Sequence, residues 1–140
     1  MSTDRLQLPA EWGSWQAVAD HARARAEALQ LDSNAQARLV VCLDELFTNA
    51  LRHGRSGELG GGRLALAVDG HPDQQVTLVW EDDGPPFDPL GWLAANPPAP
   101  PGGTPGKEGG FGLALIAGWA HEIAYDREDG WNRLRLVLPG

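Results

Sequence analysis

The stretch DELFTNALRHG, Asp44 to Gly54, decides the fold of this chain. Glu45, Asn49 and His53 recur every four residues, so a helix places all three on one face. The other side of that helix carries apolar residues expected in a core, namely Leu39, Leu43, Leu46, Phe47, Ala50 and Leu51. A carboxylate can accept a proton, and an amide oxygen can ligate a hard cation. The polar stripe therefore predicts either a functional edge or simply the solvated side of a helix.

The composition is typical of one globular domain. The 140 residues are 42% hydrophobic and 21% charged, and we expect residues 1–140 to form a single domain. No apolar run approaches the roughly 20 residues of a membrane span, and the N-terminal MSTDRLQLPAEW has no apolar signal core. The single cysteine, Cys42, lies in the apolar run VVCL and is expected to be a buried thiol. These features predict a cytoplasmic protein without membrane contact.

The net charge of −8 argues against nucleic acid as a direct partner. Phosphate backbones repel an acidic surface, and the sequence holds no basic run to offset that repulsion. A single nucleotide is compatible with this charge, because a local cluster of backbone amides and one cation suffice to hold it.

The hydrophobic periodicity predicts three helices and four or five strands. Helices are expected at about 11–29, 33–53 and from 110 onward. Strands are expected at about 5–8, 63–69, 76–80, 123–126 and 131–138. A capping box, Ser33-x-x-Gln36, opens the second helix, and Asp69-Gly-His-Pro72 joins two strands as a hairpin. The predicted fold class is α/β, a two-layer α/β sandwich with a mixed, mostly antiparallel sheet and its helices on one face.

A second notable segment is EDDGPPFDP, Glu81 to Pro89, which directly follows a predicted strand. A carboxylate at a strand end, followed by glycine, lets the backbone approach a flat ligand. Asp82 can accept a hydrogen bond from an exocyclic amine there. Asp, Gly and Pro are also the ordinary residues of a turn, so a plain turn is the alternative.

A third segment, GKEGGFGLALIAGW from Gly106 to Trp119, places glycines at the start of a helix. Free N–H groups and the helix dipole favour an anion at that end, and glycine leaves room for a phosphate. The segment lacks the Gly-Lys-Ser/Thr of a P-loop and the Rossmann fingerprint, and a flexible loop is the alternative. One side of the helix is expected to carry Leu113, Ile116, Ala117 and Ala120.

The connection from Asp82 to Lys107 is rich in proline and glycine and has little periodicity. Connections of this kind are usually functional lids or insertions. Trp92 lies within it and is expected either to cover a ligand or partner or to be incidentally buried.

In their order along the chain, the three segments resemble the motifs of the GHKL ATPase superfamily, which has the Bergerat ATP-binding fold. More narrowly, the chain is similar to the anti-sigma factor serine/threonine kinases (the RsbW/SpoIIAB-like group). DELFTNALRHG matches the N box, EDDGPPFDP the G1 box and EGGFGLALI the G2 box. The resemblance covers nearly the whole chain and implies that ATP and Mg²⁺ bind here.

The N and G1 boxes carry the implied catalytic and base-binding residues. Glu45 is implied to be the general base, and Asn49 the Mg²⁺ ligand. Asp82 is implied to bind the adenine amino group, with Gly84 leaving room for the base. His53 matches a histidine of the N box and has no assigned catalytic step.

The G2 box and the loop before it carry the implied phosphate site. Gly110 and Gly112, with the neighbouring Leu113, are implied to lie at the phosphates. The loop of about residues 88–108 is the implied ATP lid, in which Lys107 either contacts a phosphate or stays solvated.

The implied activity is transfer of the γ-phosphate of ATP to a serine or threonine of an anti-sigma factor antagonist of the STAS type. Sequestration of a sigma factor and formation of a homodimer are further implications of the resemblance. The same motifs fit two alternatives, an ATP-responsive binding module without significant kinase activity and a simple GHKL ATPase. One departure is Pro86, which stands where the family often has glycine and stiffens the turn.

Overall fold

The computed structural model describes residues 5–53, 62–95 and 110–140. The helices are α1 (Trp15–Ala28), α2 (Ser33–His53), α3 (Pro89–Ala95) and α4 (Gly110–Trp119). The strands are β1 (Leu6–Pro9), β2 (Arg63–His71), β3 (Gln75–Asp82), β4 (Glu122–Glu128) and β5 (Trp131–Leu138). A 3₁₀ turn, Trp12–Ser14, leads into α1.

The strands form one sheet in the order β1-β2-β3-β5-β4, and each neighbouring pair is antiparallel. The predicted α/β fold with a mostly antiparallel sheet is confirmed. Strand β5 departs from chain order, because it lies between β3 and β4. The start of β5 therefore lies opposite the end of β3, and this register pairs Asp82 with Asn132.

Alternating residues of the central strands build the side of the sheet that faces the core. Leu66, Trp80 and Leu134 lie side by side in one row across β2, β3 and β5. All three are buried. Complete burial of one such side chain contributes about 1.5–3 kcal/mol relative to exposure, so this face accounts for much of the stability.

Helix α2 covers that face of the sheet with its apolar side. The residues predicted to be buried are buried, namely Leu39, Leu43, Leu46, Phe47, Ala50 and Leu51. The rings of Trp12 and Trp15 meet Phe47 edge-on, with centroid distances of 5.9 and 5.4 Å. Cys42 is also buried as expected, and burial raises the pKa of its thiol to about 12.

The start of α2 shows a different cap from the predicted one. The helix does begin at Ser33, but the side chain that caps it belongs to Asp32. Oδ1 of Asp32 accepts a hydrogen bond from the Ala35 N–H at 2.8 Å, and its carbonyl accepts one from the Gln36 N–H at 3.0 Å. The capping box at Ser33 was wrong, because a carboxylate one residue earlier reaches the same free N–H groups.

The hairpin between β2 and β3 turns later than predicted. Both strands run to the end of the register that pairs His71 with Gln75, so the turn consists of Pro72, Asp73 and Gln74. Asp73 and Gln74 have φ values of 62° and 61°, in the left-handed region. Asp69 and Gly70 stay in the strand, since their backbone groups pair with β3.

Helix α4 buries a narrower face than predicted. Leu113 and Ile116 are buried and Ala120 is partly buried, but Ala117 is exposed. Successive helical residues are about 100° apart, which turns Ala117 away from the sheet. Leu115 is 45% exposed, so this helix presents an apolar side chain to solvent.

The first part of the predicted lid is helical. Asp88 caps α3 by accepting a hydrogen bond from the Leu90 N–H at 2.9 Å, and Pro89 takes the first helical position, which suits it. Trp92 and Leu93 are half-buried and pack against the core. Seven residues are too few to show helical periodicity, which is why the sequence did not predict α3. The rest of the predicted lid, 96–108, lies outside the described residues.

Within the described ranges, none of the helices combines the length and the apolar character needed to cross a membrane.

Candidate functional site

A pocket that is open to solvent lies between α2, the ends of β3 and β5, and α4. Apolar walls come from Leu46, Ala50, Trp80, Phe87, Leu113 and Leu134. Polar groups are supplied by Asn49, Asp82, Tyr125 and Asn132. Residues from all three motif segments thus line one pocket.

The carboxylate of Asp82 is held through one of its two oxygens. Its Oδ1 accepts hydrogen bonds from the Gly84 N–H at 3.0 Å and from Nδ2 of Asn132 at 3.1 Å. Among the described residues no hydrogen bond reaches Oδ2 of Asp82. The pocket therefore contains a carboxylate oxygen that can accept a hydrogen bond from a ligand.

The environment of Asp82 disfavours its charged form. Burial raises the pKa of its carboxyl, and the neighbouring Asp83 adds to that rise. The hydrogen bonds from Asn132 and Gly84 and the charge of Arg127 act in the opposite direction. Buried carboxyl groups with perturbed pKa values are concentrated at functional sites.

Asn49 lies one helical turn beyond Glu45 on α2 and faces the same pocket. Asn49 is 9% exposed, and its Nδ2 is buried without a hydrogen-bond partner in the described part of the chain. Buried polar groups normally have partners. An unpaired amide at a pocket wall is therefore a candidate contact for a ligand or for a cation held by its oxygen.

Glu45 lies against the first turn of α4. A Cβ atom built on Gly112 would overlap the Glu45 carboxylate, so only glycine allows this approach without a shift. The contact joins the N-box helix directly to the G2 segment. Glu45 itself is not among the residues that line the pocket, and it lies beside the pocket rather than in its wall.

Glu45 is partly exposed, and its carboxyl is also perturbed. Partial burial raises its pKa, the adjacent Asp44 raises it further, and Arg52 lowers it. A carboxyl with a raised pKa is a better proton acceptor in its ionised form near neutral pH.

The other predicted site residues fall into two groups. Gly84 is buried, and its backbone holds Asp82 through its N–H and Arg127 through its carbonyl at 3.0 Å. Gly110 begins the backbone of α4. Lys107, and the side chain of His53 at the end of α2, lie outside the described residues.

Sequence reasoning missed Asn132, Tyr125 and Arg127. Asn132 is 6% exposed, and its Oδ1 accepts hydrogen bonds from the Tyr125 hydroxyl at 2.6 Å and from Arg127 at 3.0 Å. The signal for Asn132 was present, because it shares a strand face with Leu134, Leu136 and Leu138. A polar residue on an otherwise apolar strand face is buried and needs partners. Nothing in the sequence pointed to Tyr125 or Arg127.

Comparison with known proteins gives the same assignment as the motifs. The family model of the histidine kinase-like ATPase domain matches residues 8–138. The chain belongs to this family.

The chain is similar to the serine/threonine-protein kinase BtrW of Bordetella bronchiseptica. BtrW is 32% identical to this chain over 100 residues, which cover 71% of this chain and 67% of BtrW. At this identity, the similarity to BtrW and the domain match support an ATP-dependent kinase domain.

Solved structures share the fold. The RsbU and RsbW domains of Rv1364c from Mycobacterium tuberculosis match with a TM-score of 0.57 and 19% identity, over 96% of this chain and 32% of that one. A chain of the SiaB–SiaC complex of Pseudomonas aeruginosa matches with a TM-score of 0.57 and 19% identity, over 96% of this chain and 88% of that one. The present chain thus spans about a third of the Rv1364c chain and most of the matched chain of the SiaB–SiaC complex.

The metal-binding side chains of this ATPase domain fit a magnesium ion that is held largely by the phosphates of a bound nucleotide. Within the described residues there is no group of three or more His, Cys, Asp or Glu side chains that could hold a metal. Mg²⁺ usually keeps several waters and takes only one or two protein oxygens beside the phosphates of a nucleotide. The side-chain oxygen of Asn49, at the pocket wall, could supply one such ligand, whereas a zinc centre would need more protein ligands.

The raised pKa of Asp82 predicts a pH-dependent stability. The native protein holds this proton more tightly than the unfolded chain, whose Asp pKa is about 3.9. Stability therefore falls as the pH rises from about 4 through the raised native pKa, and the loss is complete above it. In Asp82→Asn this loss disappears, so the variant is expected to be as stable as the wild type at low pH and more stable at neutral pH.

Urea unfolding across that pH range measures this difference, with the neighbouring Asp83→Asn as the matched control. A wild type whose advantage over Asp82→Asn grows with pH would contradict the prediction.

The contact between Gly112 and Glu45 predicts that Gly112→Ala moves the carboxylate outward. Because the Glu45 side chain is flexible and partly exposed, we expect stability to change by less than about 1 kcal/mol. The displaced carboxyl regains water, so its pKa falls toward the ordinary value. Carboxyl NMR titration measures that pKa. Gly118→Ala, on the same helix with open space around the new Cβ, should leave it unchanged.

Proposed function

We propose that this chain is an ATP-binding serine/threonine protein kinase of the anti-sigma factor type. It transfers the γ-phosphate of ATP to a serine or threonine of an antagonist protein. The observation that carries the proposal is the convergence of Asn49, Asp82 and Leu113 on one pocket, with Glu45 beside its α4 side. We further propose that residues 1–140 act as a single cytoplasmic domain.

The base-binding end of the pocket suits adenine. Asp82 offers an acceptor oxygen, and adenine carries an exocyclic amine that donates. Trp80, Phe87 and Leu134 supply apolar surface for the flat base. A guanine base would direct its carbonyl oxygen at the same carboxylate, which is unfavourable.

The opposite end of the pocket suits the phosphates. The N-terminus of α4 contains the backbone N–H groups of Gly110 and Gly112, and its dipole favours an anion. Asn49 would supply a protein oxygen to Mg²⁺. When bound, the ion neutralises charge that develops on the transferred phosphoryl group. The contribution of Lys107 remains a prediction from the sequence.

Glu45 is proposed to be the general base. It would take the proton of the attacking hydroxyl while the oxygen of that hydroxyl bonds to the γ-phosphorus and ADP leaves. The products are a phosphoserine or phosphothreonine, ADP and a protonated Glu45. Most of the rate enhancement in such transfers comes from positioning and charge stabilisation.

The protein partner is proposed to be a STAS-type antagonist. One structural neighbour was solved as part of a complex of two proteins, SiaB and SiaC. Since this chain has a net charge of −8, phosphate added to the antagonist would bring repulsion into the complex and favour its release. Sequestration of a sigma factor and homodimer formation are proposed from the family resemblance.

The role of Glu45 is tested with labelled ATP and candidate antagonist proteins. Glu45→Gln is expected to lower phosphotransfer by about 10²–10⁴-fold while ATP binding persists, because the variant loses only the proton acceptor. The wild-type rate should fall as the pH is lowered through the raised pKa of Glu45. Asp44→Asn, which removes one cause of that rise, should remain active. The loss of its activity on acidification should occur at a lower pH than in the wild type.

Other outcomes identify the alternatives. ATP binding without label on any partner would indicate an ATP-responsive binding module. Phosphate release without a protein acceptor would indicate a simple ATPase. Equal transfer by wild type and Glu45→Gln would remove Glu45 from the mechanism.

The role of Asn49 is tested by calorimetric titration with ATP, with and without Mg²⁺. We expect Mg²⁺ to strengthen ATP binding in the wild type and to have little effect in Asn49→Ala. The fold should persist, because Nδ2 of Asn49 has no hydrogen-bond partner to lose among the described residues. Asn34→Ala, an exposed asparagine on the same helix, is the control. Unchanged magnesium dependence in Asn49→Ala would contradict the assignment.

A further inference from the structure

We infer that Asn132 is the positioning residue that sets base selection in this pocket, by holding Oδ1 of Asp82 so that only Oδ2 is offered to the ligand. The inference rests on the proposed nucleotide-binding function and extends it to a residue outside the three motif segments. Asn132 acts through Asp82 and needs no contact of its own with the base.

Asn132 uses both ends of its amide. Its Nδ2 donates to Oδ1 of Asp82 at 3.1 Å and to the carbonyl of Pro85 at 2.9 Å. Its Oδ1 accepts hydrogen bonds from Tyr125 and Arg127 and from the Phe87 N–H at 3.2 Å. Donors face the oxygen and acceptors face the nitrogen, so the network fixes the orientation of the amide.

The sheet register explains why one side chain reaches so many partners. Asn132 is the cross-strand neighbour of Asp82 on β3 and of Arg127 on β4. It therefore lies in the middle of a row of three polar side chains, next to the turn that holds Pro85 and Phe87. Pro85 and Phe87 also line the pocket. Asn132 thus fixes both the carboxylate and the turn that surrounds the base site.

Asp and Leu, the two residues closest to Asn in size, would fail in different ways. Leucine would continue the apolar face but would remove the acceptor of the Tyr125 hydroxyl and one of the two donors to Oδ1 of Asp82. Aspartate would keep an acceptor for Tyr125 but would set one carboxylate against another. An amide, with a donor and an acceptor, satisfies both sides.

The consequence for the ligand is a choice between purines. With Oδ1 already occupied by the Gly84 N–H and Asn132, Asp82 presents a pure acceptor at a fixed position. A 6-aminopurine donates to it, whereas a 6-oxopurine presents an acceptor and is rejected. A site that binds a substrate NH group discriminates strongly against an analogue that lacks it.

The network also favours the ionised form of Asp82, in opposition to burial, which raises the pKa of the carboxyl. The charged groups that act on its carboxylate are Asp83, the residue directly after β3, and Arg127 on β4. The hydrogen bond from Asn132 favours the charged form. Removal of that hydrogen bond therefore raises the pKa of Asp82 further. When the pH is lowered, ligand binding that needs the ionised carboxylate should therefore be lost at a higher pH than in the wild type.

The test is calorimetric titration with Mg-ADP and Mg-GDP in a series of buffers that extends from the ordinary Asp pKa of about 3.9 up to neutral pH. Diphosphates avoid any transfer during the measurement. In Asn132→Asp we expect ADP affinity to fall by about tenfold to hundredfold, as for loss of a hydrogen bond to a charged group, with little change for GDP. The acid limit of ADP binding, which is the pH below which ADP no longer binds, should move to higher pH. Asn34→Asp adds the same charge at an exposed position and should change neither.

A second variant keeps the inference testable if Asn132→Asp does not fold. Arg127 is exposed on the edge strand β4 and does not line the pocket. In Arg127→Gln we expect ADP affinity to fall about twofold to tenfold, and the acid limit to move the same way. Arg135→Gln, an exposed arginine of β5 paired with Glu122, is the control.

The outcomes distinguish the proposed function from the role of Asn132. A wild type that binds neither nucleotide overturns the proposed function itself. A wild type that prefers ADP, with the same preference and pH limit in folded Asn132→Asp or in Arg127→Gln, overturns the role of Asn132 alone.

Discussion

The packing of α2 on the inner face of the sheet is the contact on which the rest of this structure depends. Cys42, Leu43 and Phe47 are no more than 2% exposed, so rotation of the helix would bring apolar surface into water. Burial of one side fixes the direction of the other. Glu45 and Asn49 are therefore held one turn apart, about 6 Å along the axis, at the edge of the pocket. The hydrophobic effect thus positions two polar side chains that it does not itself stabilise.

The pocket contains polar groups that weaken the fold locally. Asp82 and Glu45 both have raised pKa values because burial disfavours their charged forms. Asn49 has a buried amide nitrogen without a partner among the described residues. A chain selected only for stability would replace such groups, and their presence together at one pocket is typical of a functional site. Asn132 differs from them, because its hydrogen bonds are satisfied and it stabilises the arrangement.

Regular elements with strong periodicity were predicted well. The buried face of α2 and the alternation of β5 followed from residues that repeat every 3.6 or every two positions. Features that depend on single side chains were predicted poorly. The cap at Asp32, the late turn at Asp73 and the exposure of Ala117 each depend on the local geometry of one or two residues, and competing candidates stood nearby in the sequence. Helix α3 was missed because it is short.

The candidate site was predicted in part. The three motif segments identified Asn49, Asp82 and Leu113, which line one pocket, and Glu45, which lies beside it. The hydrogen-bonded group of Tyr125, Arg127 and Asn132 was not predicted. These residues lie on the last two strands, and their relation to Asp82 depends on strand order rather than on any motif.

The sequence by itself determined the α/β class, the apolar faces and the membership of the histidine kinase-like ATPase family, because helix and strand patterns and motif spacing are local properties of the chain. The tertiary structure alone decided that β5 pairs with β3, that Asn132 holds Asp82, and that Gly112 lies against Glu45. These contacts join residues far apart in the chain. Their geometry follows from strand register and from how α4 packs against α2, and neither leaves a local pattern in the sequence.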